Sequence, residues 1–214
     1  MSTWLSDCRL FFSEFRRNFR TTGAVLPSGR RLSAALARFV REGDGQRPRR
    51  ILEVGPGTGA VTRQIVAALR PDDRLDLVEL NDSFVECLRQ RFRRDPAFQP
   101  AADRSRVLHC PVEDLPAEAT YDVIVSGLPL NNFAVDEVRR ILDGLAKLAQ
   151  PGGTLSFFEY IAIRRLKALV AGRAERARLR GIGEVVGRLL GQREVRRDWI
   201  LPNVPPAWVH HVRF

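Results

Sequence analysis

Residues 50 to 61 read RILEVGPGTGAV. Ile51, Leu52 and Val54 fit a short buried strand that also carries the acidic Glu53, and Thr58 can start a helix whose apolar face continues through Val61, Ile65 and Leu69. Gly55, Gly57 and Gly59 then fall on alternate positions at the strand-to-helix turn, with Pro56 and Thr58 between them. Lacking a Cβ, glycine accepts positive φ angles and lets a ligand approach the backbone closely. This spacing reads as a nucleotide-cofactor loop.

Two cofactors fit it. GPGTGA also satisfies GxGxxG/A, the dinucleotide pattern whose pyrophosphate sits on the helix N-terminus. The carboxylates decide between them. Glu53, two positions before Gly55, is expected at the mouth of the loop, where it would repel a pyrophosphate and attract the ammonium of a methionine moiety. Glu79, in RLDLVELND, ends the next apolar strand and would accept hydrogen bonds from both ribose hydroxyls, with Leu80 beside it. S-adenosylmethionine is cationic at its sulfonium and amine, so the acidic, glycine, acidic pattern favours it over NAD.

The 214 residues are 44% hydrophobic, enough for one sizeable core, and suggest one domain with an appendage. No apolar run reaches the roughly 18 residues needed to span a bilayer, and charges interrupt the N-terminus where a signal peptide would be apolar. A cytoplasmic protein is expected, peripherally associated with the inner face of the cell membrane. Cys8, Cys87 and Cys110 lack CxxC spacing, and His109, His210 and His211 add no ligand cluster, so neither a disulfide framework nor a metal site is expected.

The formal net charge of +10 implies an anionic partner, nucleic acid or an anionic membrane surface. Residues 1–41 carry +6 and residues 163–197 carry +8, so the remainder of the chain is net acidic. The first segment, TWLSDCRLFFSEFRRNFR, spaces Trp4, Cys8, Phe11, Phe12, Phe15 and Phe19 by threes and fours, with Arg9, Arg16, Arg17 and Arg20 around them. Such a basic, aromatic helix can lie in a membrane interface, or it can dock on the core with its arginines solvated.

After LPSG at 26–29, Ser28 can cap a helix running to about Arg41. Beyond the glycine motif come a strand at 75–79, a helix at 82–93, strands at 105–109 and 121–126, a helix at 134–149, a PGG turn at 151–153 and a strand at 154–160. Alternation of this kind argues for a doubly wound α/β fold with a seven-stranded, mostly parallel sheet. A basic helical stretch at about 163–190 precedes strands at 193–200 and 207–213, expected to form an antiparallel hairpin. Residues 1–45 would be a helical extension for membrane contact and cofactor cover, and residues 46–214 the main domain.

At the end of the fourth strand lies VIVSGLPLNNF, residues 123–133. A parallel sheet would place Ser126, Gly127, Leu128 and Pro129 beside the sulfonium, in the path of an attacking nucleophile. Methyl transfer from a sulfonium needs proximity and alignment more than acid-base machinery, and a deprotonated amine suffices. Backbone carbonyls near Leu128, with Asn131 or Asn132, would orient its N–H groups while the loop excludes water. The asparagines equally suit a turn ahead of a helix.

EVGPGTG, then VEL, then SGLPLNNF resembles the bacterial phospholipid N-methyltransferases, which methylate phosphatidylethanolamine, and their relatives acting on ornithine lipids. GAVLPSGRRLSAALA is similar to the segment those enzymes place before the first motif. The likeness spans about residues 10–160. It implies a class I methyltransferase fold, S-adenosylmethionine as donor with S-adenosylhomocysteine as product, and a headgroup contact from Tyr160 by hydrogen bonding or cation–π interaction. Where many such enzymes have Gly-Asp-Ala after the third strand, this chain has Cys110, Pro111 and Val112, which leaves the adenine contact to the Val112 backbone, Glu113 or Asp114. A more distant resemblance is to the ribosomal RNA adenine dimethyltransferases. Their Asn-Leu-Pro-Tyr motif meets Ser126 and Leu130 here, so an aromatic that could stack on a flipped adenine is missing.

The leading expectation is therefore N-methylation of an aminolipid headgroup at a bilayer. Trp4, Phe11, Phe15 and Phe19 would penetrate the bilayer, and Arg16, Arg17, Arg164, Arg165 and Lys167 would engage phosphates. The alternatives are RNA adenine methylation using the same arginines, and a binding module of the same fold without activity.

Overall fold

The computed structural model describes residues 29–43, 47–116, 118, 120–160, 172–201 and 206–214. Trp4, Phe11, Phe15, Arg16, Arg17, Phe19, Ser28, Arg164, Arg165 and Lys167 lie outside the described residues. Seven strands form one sheet: β1 (Arg50–Val54), β2 (Arg74–Glu79), β3 (Ser105–His109), β4 (Tyr121–Ser126), β5 (Ala149–Tyr160), β6 (Glu194–Ile200) and β7 (Ala207–Arg213). Their order is β3-β2-β1-β4-β5-β7-β6. The first five are parallel, and β7 is antiparallel to both of its neighbours. The doubly wound sheet and its C-terminal antiparallel hairpin are thus as the sequence predicts.

The chain steps outward from β1 through β2 to β3, then returns to the other side of β1 with β4 and β5. That reversal opens a crevice at the carboxyl ends of β1 and β4, where ligands of doubly wound sheets bind. The near-continuous apolar runs of β1 and β4 follow from burial on both faces.

One face is covered by α1 (Arg30–Leu36), α2 (Arg38–Arg41), α3 (Ala60–Val66) and α4 (Asp82–Arg94). Leu32, Leu36 and Val40 are fully buried in one cluster with Ile51, Ile65, Phe158, Tyr160 and Val209. The apolar side of the described part of the expected N-terminal extension is therefore packed into the core, while Arg30, Arg31 and Arg41 are exposed. Arg38 reinforces this by donating to Asp198 of β6 at 2.6 Å. The opposite face is covered by α5 (Val135–Leu148) and α6 (Arg173–Arg193), whose Leu142, Leu145, Ile182 and Val186 pack on Ile124, Leu155 and Phe157.

The helix expected to run to about Arg41 is divided at Ala37, the basic helix runs on to Arg193, and two turns differ from expectation. Thr58 does not start a helix, because Gly59 adopts φ +83° and ψ 23°; α3 begins at Ala60, and the Gly59 carbonyl accepts from Arg63 N at 3.0 Å. The PGG segment does not precede the fifth strand but interrupts it. Ala149 pairs with Tyr121 and Thr154 with Val123, so the residues between bulge out, with Gly152 at φ +80°. The C-terminus holds the bulge: Gly152 N donates to Phe214 O at 2.6 Å, and Phe214 N donates to Gly153 O at 3.0 Å.

Candidate active site

Three loops meet at the carboxyl ends of β1, β2 and β4. Gly55, Gly57 and Gly59 all have positive φ. Gly55 N donates to Val78 O at 3.0 Å and Gly127 N donates to Val54 O at 2.8 Å, so the glycine loop is tied to β2 on one side and the fourth-strand loop is tied to β1 on the other. A Cβ on Gly57 would meet nothing within 4 Å, which leaves its outer side open to a ligand. Pro56 and Thr58 span the turn, where Pro56 O accepts from Gly59 N at 2.9 Å.

Glu53 lies beneath this loop rather than at an open mouth: it is 0% exposed and flanked in the sheet by Leu77 and Val125. Among the described residues neither carboxylate oxygen has a partner at close hydrogen-bond geometry, and Thr62 is the only hydrogen-bonding group set beside it. Burial pushes its pKa up to about 8; nearby Thr62 offsets part of that, and the neighbouring Glu79 carboxylate adds to it. Other buried carboxylates of this sheet are answered from within. Asp76 accepts from Arg106 Nε at 2.7 Å and Tyr121 Oη at 2.9 Å, and Asp73 accepts from Arg49 Nη2 at 2.6 Å. Burial pushes both upward, but their hydrogen bonds and ion pairs taken together, including the Arg49 and Arg70 backbone amides on Asp73, outweigh it and hold both below the ordinary carboxylate range. A buried carboxylate with no internal partner is costly unless a cation meets it.

Glu79 is already committed to backbone. Its Oε2 accepts from Gly57 N at 3.0 Å, and its Oε1 accepts from Leu80 N at 2.9 Å and Asn81 N at 3.0 Å. A carboxylate offers about four lone-pair positions. One therefore remains on Oε2, so holding both ribose hydroxyls requires one backbone bond to be released. Leu80 beside it is 65% exposed, an apolar platform at the rim. Val112 is buried in the short 3-10 turn Val112–Asp114, where Glu113 and Asp114 are exposed.

In the fourth-strand loop Ser126 is buried and receives a weak hydrogen bond from Leu128 N at 3.4 Å. Gly127, Leu128 and Pro129 are half-buried. The two asparagines separate clearly. Asn132 is exposed, whereas Asn131 is buried with no partner for its Oδ1 among the described residues. Tyr160 lies in the core: its ring packs edge-on against Phe158 at 5.1 Å, and burial pushes its pKa up to about 12. That is the environment of a packing residue, not of a side chain offered to a headgroup.

Sequence reading missed Arg178. From α6 its guanidinium donates to Asn131 O at 2.9 Å and to Phe133 O, while Glu175 receives Nε at 2.7 Å and Nη2 at 2.6 Å. It holds the SGLPLNNF loop against the body of the protein. Nothing local marks it among ten arginines of a basic stretch; only the fold brings it to the loop.

These residues fit S-adenosylmethionine: a buried carboxyl at Glu53 with no cationic partner among the described residues, an open side at Gly57, a free acceptor position on Glu79 and an apolar rim at Leu80. Residues 51–153 match the family model described as "Methyltransferase domain". The chain is 27% identical over 152 residues to an ornithine lipid N-methyltransferase of Singulisphaera acidiphila, covering 71% of this chain and 77% of that protein. It is 35% identical over 96 residues to ribosomal RNA small subunit methyltransferase A of Parasynechococcus marenigrum, covering 45% of this chain and 30% of that protein. The fold is shared with the O-methyltransferase TomG of Streptomyces achromogenes, solved in complex with SAM, at a TM-score of 0.59 and 20% identity over 89% of this chain and 81% of that one.

Proposed function

With residues 51–153 a class I S-adenosylmethionine-dependent methyltransferase domain, we propose that the chain N-methylates the primary amine of a membrane aminolipid headgroup, phosphatidylethanolamine or an ornithine lipid. The observation that carries this reading is the likeness to the ornithine lipid N-methyltransferase, which extends over 77% of that protein. Bound at the glycine loop, S-adenosylmethionine supplies an electrophilic methyl group on a sulfonium. Glu53 pairs with its ammonium, Glu79 takes a ribose hydroxyl and Leu80 lies against the adenine.

The amine enters beside Ser126, Gly127, Leu128 and Pro129. Carbonyls of this loop and the Asn131 Oδ1 accept its N–H bonds and aim the lone pair, and the loop keeps water from the reacting atoms. Arg178 keeps the loop in register while it does so. The N-terminal aromatics Trp4, Phe11, Phe15 and Phe19, with Arg16, Arg17, Arg164, Arg165 and Lys167, supply affinity for an anionic bilayer at the inner face of the cell membrane. No helix among the described residues is long and apolar enough to cross a membrane, so attachment on this reading is peripheral.

A second reading, RNA adenine methylation, is favoured by the match to the ribosomal RNA enzyme over 96 residues. Ser126 and Leu130 weigh against it, since a flipped base would lack its aromatic stack. Incorporation of labelled methyl groups from the cofactor into total lipid and total RNA separates the two. Label in an aminolipid, with lipid mass spectrometry showing added methyl groups on one class, supports the proposal; label in RNA alone overturns it.

A further inference from the structure

Leu80, Val195, Trp199 and Leu201 are large apolar side chains exposed on the described surface. Their positions follow from the strand directions. β6 is antiparallel to β7 and β7 to β5, so β6 runs with the parallel strands and its carboxyl end lies at the end of the sheet that carries the site. Trp199, 61% exposed, and Leu201, 62% exposed, close that end of β6. Leu80 follows the carboxyl end of β2, and Val195 lies toward the other end of β6. Trp199 is braced by Trp208 of β7, ring edge to face at 5.5 Å. Its outer side is exposed, with no other ring against it among the described residues.

Charge is placed at the same end. The first turns of α6 reach the residues that follow β4, as the Arg178 bonds to Asn131 and Phe133 show. Arg173, Arg176 and Arg180 lie at helical spacings of three and four, are exposed, and make no ion pair among the described residues. β4 and β6 are three strand spacings apart in the sheet, about 15 Å. One end of the molecule thus presents apolar tips beside unpaired guanidinium groups and the mouth of the site.

We propose that this carboxyl end of the sheet docks on an anionic bilayer, with Trp199 and Leu201 in the interface and Arg173, Arg176 and Arg180 on headgroup phosphates, so that the site opens toward the lipid. Arginines without carboxylate partners call for an anionic surface. Exposed Leu201 and Trp199 call for one that also has an apolar layer beneath its charges, which a nucleic-acid backbone lacks. The docking face deepens the lipid reading and rests on it only for the identity of the substrate.

The test uses the full chain, with flotation on phosphatidylglycerol vesicles and on phosphatidylcholine vesicles. Trp199→Ser with Leu201→Ser, and separately the triple change of Arg173, Arg176 and Arg180 to Gln, should each lower partitioning onto phosphatidylglycerol about tenfold or more. Circular dichroism and cofactor affinity should stay unchanged. In a Trp4→Phe background the tryptophan emission should shift to the blue on these vesicles and be quenched by brominated acyl chains. Wild-type partitioning by both variants, or absence of quenching in a bound protein, overturns the proposal. A triple variant that loses RNA binding and keeps vesicle binding overturns it in favour of a polyanion face. If wild-type protein docks by these residues but methylates no lipid, docking stands and the proposed substrate falls.

Discussion

Gly127 and Gly55 meet backbone to backbone: a Cβ on Gly127 would lie 2.6 Å from the Gly55 carbonyl oxygen. The substrate loop and the cofactor loop are thereby packed as one unit. Neither side of this contact is a flexible side chain that could move aside.

Gly127→Ala must therefore push the two loops apart. Overpacking of this kind costs about 1–3 kcal/mol. A lower thermal midpoint together with weaker cofactor binding is expected, measured by calorimetry. An alanine variant with wild-type values for both would show that the loops are not rigidly coupled.

Glu53 makes the ligand-free protein sensitive to alkali. Its folded pKa of about 8 lies above its ordinary 4.5, so the folded state holds the proton more tightly than the unfolded chain. The stability it contributes is full below about pH 4.5 and is lost as pH rises through about 8, about 5 kcal/mol at most. Comparing Glu53→Gln with wild type cancels every other titrating group. Without ligand, the glutamine variant should gain relative stability from about pH 5 to pH 8.5 in denaturant melts.

The same carboxylate must ionise to meet an ammonium. Cofactor binding near pH 6.5 should thus release about one proton, detected by titration calorimetry in buffers of different ionisation enthalpy. Glu53→Gln should abolish the release and weaken binding about 100-fold. Binding with no proton exchange would mean that Glu53 is already charged.

Glu79 accepts three backbone amides, so its loss reaches beyond ligand contact. Glu79→Ala should cost about 2 kcal/mol of stability even without cofactor, because the Gly57, Leu80 and Asn81 N–H groups lose a charged acceptor. Glu79→Gln keeps one acceptor oxygen and should fall between the two. Equal ligand-free melting of all three proteins would count against the bracing role.

Arg178 positions the loop without occupying the cofactor site. Arg178→Lys cannot serve two carbonyls and Glu175 together, since a lysine is a single point donor and not a fork. Turnover should fall about tenfold while cofactor affinity stays within about twofold, a split that steady-state kinetics and direct binding resolve. Matching losses in both would place Arg178 in cofactor binding instead.

Much of the architecture could be read directly from residue order. The bounds of β3 and β4 emerge from apolar periodicity, and the hairpin of β6 and β7 from two extended runs separated by prolines. The glycine loop with Glu53 and Glu79 was legible for the same reason: backbone freedom and local charge depend on neighbours in the chain. The PGG bulge was not, because its register is imposed by Tyr121 and Phe214, both distant in sequence.

The sequence by itself determined the sheet, its doubly wound order and the cofactor, since each follows from periodicity, glycine φ and the sign of nearby charge. Only the tertiary structure decided which polar atoms are left without partners. Packing of separate elements closes the Glu53 carboxyl and the Asn131 Oδ1 away from water with no close partner among the described residues, leaves Asn132 exposed, sends Tyr160 into the core, and brings Arg178 from a distant helix to hold the loop.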